Sequence, residues 1–407
     1  MPMLRVFRLR RVQIRPEDGM RDVQVIFSQA LRRSMRRIMK RVQAMTGIGL
    51  LAMSVVVMPS WSHKALALEQ QTSGQSSQAQ VAERHLANIR QLTVGGKNAE
   101  AYFSFDGDRL IFQSTKDPVS QTLQDCHQMY VMDLKGENIY RVSTGYGGTT
   151  CGYFFPGGRR VLFSSTHMTG FQCPPKPQRG ARYRWVLDDY DIFSVKIDGR
   201  DLQRLTSSRG YDAEATISPN GRTMVFTSVR DGDIDLYTMN IDGSGVKRLT
   251  NEVGYEGGAF FSPDSKRIVY RAQHPKTPEE LKAYKDLLAQ NLIEPGNLEL
   301  FVMNADGSEK RQVTFNGASN FAPYFHVDGR QIIFSSNVSD LPGGKSRPAF
   351  QLHLINDDGT GMEQITFKGH FNSFPMFSPD GKLLVWVSDR NTTTRDEFNV
   401  FLADWVP

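Results

Sequence analysis

Between residues 210 and 250, short runs of alternating apolar and polar residues are punctuated by turn signals. The runs are 213–218, Thr223–Ser228, Asp235–Asn240 and 246–250, with Pro219-Asn220-Gly221 after the first and Ile241-Asp242-Gly243 after the third. A period of two predicts strands, and Asn-Gly and Asp-Gly supply the positive φ that tight hairpin turns require. The stretch therefore predicts a four-stranded antiparallel unit. Such a unit has two apolar faces and cannot bury both alone, so it must pack against copies of itself.

The copies are present. The first turn recurs around Asp106, Gly157, Asn220, Asp264, Asp328 and Asp380, at intervals of 51, 63, 44, 64 and 52 residues. The second turn recurs as Asp133-Leu134-Lys135-Gly136, Asp198-Gly199, Asp306-Gly307 and Asp358-Gly359. Six registered copies of four strands predict an all-β fold, a six-bladed β-propeller with four-stranded antiparallel blades. The run that ends several repeats is Arg204-Leu205-Thr206, Arg248-Leu249-Thr250, Gln312-Val313-Thr314 or Gln364-Ile365-Thr366, and it also occurs ahead of the first turn as Arg90-Gln91-Leu92-Thr93. The last repeat ends without one. The N-terminal strand at 90–93 is therefore expected to complete blade six, which closes the ring and removes an exposed edge. The propeller is assigned to residues 90–407.

Phe377-Ser378-Pro379-Asp380-Gly381-Lys382, Phe261-Ser262-Pro263-Asp264-Ser265-Lys266 and the recurring Arg-Leu-Thr runs resemble the repeats of TolB-type propellers, a WD-repeat-like family common in bacterial envelopes. The resemblance spans about residues 90–405. It implies the propeller fold and an envelope setting, and leaves function open, because propellers host binding, scaffolding and catalysis alike.

Hairpin order separates the two faces of such a disc. The short Asp-Gly turns share one face, and the longer connections at 115–127, 166–189, 273–296 and 337–349 share the other. Long connections in a compact repeat usually serve recognition. Within 273–296, Thr277-Pro278-Glu279-Glu280 followed by Leu281, Tyr284, Leu287 and Leu288 predicts a capped amphipathic helix, acting as a lid on blade four or as a ligand contact.

Charge changes the picture only at the start of the chain. The 407 residues carry a formal +6, but residues 1–67 hold 13 Lys/Arg against 3 Asp/Glu, and the remainder holds 36 against 40. The basicity is local, which argues against nucleic acid as a partner. Arg32, Arg33, Arg36, Arg37, Lys40 and Arg41 precede an apolar stretch at 44–58 and then Ala65-Leu66-Ala67, the order of a secretory signal region. Residues 1–67 are read as that region, with Met35 a plausible true start, and 68–89 as a linker rich in Gln, Ser and Ala. Cleavage near Leu68 would place the propeller in the periplasm or otherwise outside the cytoplasm, without stable membrane insertion.

Export permits a disulfide among Cys126, Cys151 and Cys173, with Cys151–Cys173 and Cys126–Cys173 both possible. His127 and His167 make a zinc or copper site conceivable there, but the spacing matches no ligand motif. Asp231-x-Asp233-x-Asp235 resembles the start of a calcium loop yet lacks its Gly and Glu. No metal or cofactor is expected. There is no Gly-x-Ser-x-Gly elbow, and Gly145-Tyr146-Gly147-Gly148 is read as an inter-blade loop rather than a phosphate cradle.

Six polar residues occupy one repeat position at the start of each first strand: Asn98, Thr149, Asp212, Glu256, Asn320 and Asn372. Strand alternation adds Glu100 and Glu214 on the same side. Either these residues cap inter-blade turns, or they form a ring of ligand-binding groups at the channel mouth suited to a cationic, peptide-like or hydroxyl-rich ligand. Two functions follow. The first is a non-enzymatic binding or scaffolding module for an envelope protein, peptide or glycan. The alternative is a propeller hydrolase or lyase with its acid and base at the channel mouth.

Overall fold

The computed structural model describes residues 82–175, 183–341, 348–392 and 394–407. The signal region at 1–67, the start at Met35 and residues 68–81 of the linker lie outside the described residues. Six four-stranded antiparallel sheets are arranged as a closed ring. Blade three contains Asp212–Ile217, Thr223–Ser228, Asp235–Asn240 and Lys247–Arg248, close to the sequence expectation except for its short outer strand.

That outer strand is short for a reason repeated around the ring. Beyond it, a side-chain hydroxyl takes over as acceptor for the third strand. Leu236 N–H donates to Thr250 Oγ1 at 2.8 Å, and Ile192, Leu300 and Leu352 donate likewise to Thr206, Thr314 and Thr366. The Thr of the Leu-Thr run is thus a hydrogen-bond acceptor built into each blade, and Ser143 plays the same part for Met129 in blade one.

Closure follows the same chemistry. Strand Leu86–Gln91 pairs with Asn399–Trp405 of blade six, and Val400 N–H donates to Thr93 Oγ1 at 2.9 Å. The linker, however, ends earlier than 89. Leu86 is already opposite Trp405, and His85 stacks on the Trp405 indole at 5.0 Å. Glu83, buried, receives two hydrogen bonds of 3.0 Å from the equally buried Arg390. The Glu-Arg-His-Leu stretch reads as a polar linker because an outermost strand presents one side to water, so few of its residues need be apolar.

The first strand of every blade lies inside the ring and contacts the first strands of both neighbours. Each carries a β-bulge at the same place, between Ala99 and Tyr102 in blade one and at matching positions in the other five. The bulged residue has positive φ in all six: Glu100, Cys151, Glu214, Gly258, Ala322 and Phe374. A non-Gly residue held there is strained, and the bulge re-aims the side chains that follow.

Two residues on from the bulged position, aromatic rings fill the axis. Tyr102 meets Tyr153 at 6.0 Å and Phe260 at 5.3 Å, and Phe260 meets Tyr324 at 5.3 Å. Residues of opposite blades are therefore in contact, and the propeller is plugged at this level. Among the described residues no helix is long and apolar enough to cross a membrane.

Candidate functional site

The departures from the repeat are concentrated on the face opposite the short turns. Helix α1 (Pro278–Leu288) begins with the expected capping box, in which Thr277 and Glu280 each accept from the other's backbone. It is tied down by the Tyr284 hydroxyl, which donates to Gly254 O at 2.5 Å and also lies against Asp233. The connections of blades two and four meet above blade three, where Trp185–Val186 pairs with Leu292–Ile293 as a small two-stranded sheet. A disulfide joins Cys126 of blade one to Cys173 in the blade-two connection, with Cα atoms 5.6 Å apart. Cys151 is free and buried. Of the two pairs open to the sequence, only Cys126–Cys173 links connections on the same face; Cys151 belongs to the inner strand and is turned to the axis.

Two open clefts flank this structure. One, of about 460 Å³, is lined by Phe171, Pro174, Asp188 and Asp189 among others. The second, of about 370 Å³, lies between Leu187, Val229, Lys285 and Leu288.

At the loop-face end of the axis, just above the aromatic plug, blades one to four bring together Glu100, Cys151, Glu214 and Arg271. Arg271 donates to Glu214 at 2.5 Å and to the Tyr255 hydroxyl at 2.9 Å, while Trp185 covers its guanidinium at 5.2 Å. Glu214 also accepts from Thr227 Oγ1 at 2.8 Å and Gly258 N–H at 2.9 Å. Burial is the largest single influence and works against the Arg271 charge, but Glu214, Tyr255 and Tyr211 together outweigh it and hold the pKa above its usual value. Glu100 has no such cation in contact. Desolvation pushes its carboxyl up to about 7, opposed by a hydrogen bond from the Cys151 thiol and reinforced by the Glu214 charge. Desolvation, with Glu100 and Glu214 nearby, likewise raises Cys151 well above an ordinary thiol.

On the other side of the axis, blades five and six present a group of half-buried phenylalanines. Phe321 meets Phe350 at 5.2 Å, and Phe371 meets Phe398 at 4.8 Å and Phe374 at 6.5 Å. The mouth thus has a charged and hydroxylated half and an apolar half.

The six residues expected to ring the channel do not converge there. Asn98, Thr149, Asp212, Glu256, Asn320 and Asn372 are all buried, in the seams between blades. The Asn98 and Asn320 amides donate to Phe398 O and Leu298 O of the preceding blades at 2.8 and 2.9 Å, and Thr149 donates to His127 O at 3.1 Å. Asn372 donates to Gln351 Oε1 of blade five at 2.9 Å. Asp212 is held by Arg230 at 3.0 and 3.1 Å. This is the turn-capping alternative, and the bulge explains it. Simple alternation put Glu100 and Glu214 on the side of these six residues, but the extra residue breaks the period. The carboxylates of Glu100 and Glu214 reach the axis while the seam residues stay between blades.

Other expectations resolve locally. Asp231 accepts from the Tyr237 hydroxyl, Asp233 from Gly254 N–H, and Asp235 from Arg248, whose guanidinium also lies 3.9 Å from Asp231. His167 bonds to Ser165 Oγ at 2.8 Å and packs on Phe193. Sequence reasoning missed Arg271, Tyr255 and Trp185. One signal for Arg271 was present in Gly257-Gly258, an unusual pair for an inner strand. A Cβ on Gly258 would meet the Arg271 guanidinium at 2.2 Å, and one on Gly257 the Tyr255 hydroxyl at 2.4 Å.

Comparison with known proteins places the fold. No curated protein matches the chain. Among solved structures, a putative TolB from Agrobacterium tumefaciens is 18% identical with a TM-score of 0.51, over 78% of this chain and 97% of that one. TolB from Acinetobacter baumannii is 17% identical with a TM-score of 0.52, over 74% of this chain and 65% of that one. These likenesses concern the fold. A family model for the TolB beta propeller domain matches residues 185–287 and 284–404, together more than half of the sequence. The chain belongs to the TolB beta-propeller family.

Proposed function

We propose that the chain is an exported, non-enzymatic binding or scaffolding module of the cell envelope that takes a protein, peptide or glycan on its loop face. The observation that carries this reading is the asymmetry of the disc. Helix α1, the bridging sheet, the disulfide, both clefts and the mixed acidic and aromatic axial mouth share one face, and the other face carries short turns. A ligand with a cationic or hydroxyl-rich end toward Glu100 and an apolar side toward Phe371 and Phe374 would use both halves of the mouth. The family setting and the sequence of basic, apolar and small residues within 1–67 support a periplasmic location.

The test is capture from envelope extracts by the chain beginning at residue 68, compared with surface variants. Phe371→Ala and Phe398→Ala on the loop face are expected to reduce retention of the captured species. Asp198→Ala and Asp242→Ala on the turn face are expected to leave it unchanged. The reverse result would overturn the assignment of faces.

A second reading rests on Glu100, whose carboxyl, pushed up to about 7, holds both protonation states at neutral pH. A hydrolase or lyase could use it for proton transfer at the axial mouth. Turnover of a glycan or ester substrate that Glu100→Gln abolishes without loss of binding would favour this reading over the first.

A further inference from the structure

The seam position shows what blade four has lost. In five blades the residue opposite it across the first hairpin is a serine: Ser114, Ser165, Ser228, Ser336 and Ser388. Ser228 Oγ donates to Asp212 at 2.5 Å and Ser336 Oγ to Asn320 at 2.7 Å. Two residues further on, Arg230 and Arg390 also donate to their seam residues, Arg390 to Asn372 at 3.2 Å. From four residues before the seam position, Ser208 donates to Asp212 at 2.5 Å and Asn316 to Asn320 at 3.3 Å. The seam acceptors of blades three, five and six are thus met by donors.

Relative to blade three, blade four changes all three surrounding positions at once. Its seam residue is Glu256, and the serine opposite is replaced by Ala272. His274 occupies the place of Arg230 and Arg390, which blade two also fills with a histidine, His167, and Glu252 the place of Ser208 and Asn316. A hydroxyl, a guanidinium and a small donor have given way to a methyl, an imidazole and a second carboxylate. Glu256 is 1% exposed, its Oε1 contacts His274 Nε2, and its Oε2 has no hydrogen-bond partner. A buried carboxylate oxygen left without a donor is costly. Asp233 adds more negative charge nearby, while its own oxygens accept from Gly254 N–H and Ile234 N–H.

One type of ligand answers each of these changes. Glu252, Glu256 and His274 each offer a ligand atom within 4.8 Å of the others. We propose that blade four binds a divalent first-row transition-metal cation, of the zinc class, through Glu252, Glu256 and His274. An imidazole nitrogen with two carboxylates suits zinc better than calcium or magnesium, which prefer all-oxygen shells. The Glu256 oxygen that lacks a donor would be satisfied by the cation, and the like-charged carboxylates would be neutralised. Glu252 is exposed, which gives the ion an entry path, and three protein ligands leave a coordination position open toward solvent.

The experiment uses the chain from residue 68, free of any histidine tag and dialysed against chelator, titrated calorimetrically with Zn²⁺, Ca²⁺ and Mg²⁺. Uptake of one Zn²⁺ per chain with a raised Tm is expected, with Ca²⁺ and Mg²⁺ much weaker. Co²⁺ is expected to give visible ligand-field bands. The variant Glu252→Ser/Glu256→Asp/Ala272→Ser/His274→Arg installs the donor set of blade three, so the seam keeps its hydrogen bonds without a cation. It is expected to lose at least about 100-fold in Zn²⁺ affinity together with the Co²⁺ bands. Glu252→Gln, at an exposed position, tests the same site at no risk to the core, with an expected loss of about 10-fold. No stoichiometric Zn²⁺ uptake by the parent, or equal uptake by the parent and both variants, would overturn the proposal.

Discussion

Tyr102 of blade one and Phe260 of blade four project from opposite sides of the ring and meet edge to face, with centroids 5.3 Å apart. That contact makes the axis a blind end rather than a pore. It gives the Glu100 and Glu214 cluster an apolar floor, and it explains why desolvation dominates the behaviour of Glu100.

Removing the centre of the plug should be expensive. Phe260 touches Tyr102, Tyr153 and Tyr324, so Phe260→Ala deletes several ring contacts and leaves space that rigid strands cannot close. A loss of about 3–5 kcal/mol is expected in denaturant unfolding. A loss below about 1 kcal/mol would mean that the plug is not packed as described.

Blade six depends on residues ahead of its outer strand. The Glu83–Arg390 pair is buried on both sides, so Glu83→Ala leaves a guanidinium without its carboxylate. Destabilisation by about 3–5 kcal/mol is expected. Replacing both residues by apolar side chains should recover much of it. A double variant no more stable than Glu83→Ala would argue that the pair is not what secures the N-terminal segment.

Glu100 sets a pH dependence. Its folded-state pKa is raised from 4.5 to about 7, so the fold favours the protonated form. The stability this carboxyl contributes is complete below about pH 4.5 and is lost as pH rises through about 7. Glu100→Gln keeps the side chain neutral throughout. The Tm of the variant relative to the parent should therefore climb across that window and level off above it. A difference independent of pH would refute the assignment.

The cysteines make a distinct prediction. Thiol titration of the native chain should find almost no reaction, because Cys151 is buried and its pKa is raised. One thiol per chain should appear on denaturation and three after reduction. Reduction opens a loop with a sequence separation of 47 and should cost about 2–4 kcal/mol. Labelling that finds Cys151 in the bridge would contradict the pairing.

Much of this molecule was legible in its sequence because the signals are local. Asn220-Gly221 and Asp380-Gly381 define turns by their backbone preferences, and period-two runs define strands by which face meets a neighbour. The recurrence of both settled six blades. The Leu92-Thr93 pair ahead of the first turn settled closure, since the hydroxyl and the leucine have the same tasks there as in the other blades. The two faces followed from hairpin order alone.

The site depended on relations between blades, which no local pattern carries. Asn98 and Glu100 are two residues apart and would share a side in a regular strand. The bulge at Glu100, a positive-φ residue, breaks that period, so one side chain enters a seam and the other the axis. Arg271 lies 57 residues from the carboxylate it pairs with, and Trp185 reaches it only because two connections pair above blade three. The choice of Cys126 over Cys151 as partner for Cys173 likewise turned on which side of the inner strand faces the axis. Sequence alone therefore determined the strands, turns and ring through local backbone preference and periodicity. Only the tertiary structure decided which side chains meet, because blade packing and a break in strand period govern distances between residues remote along the chain.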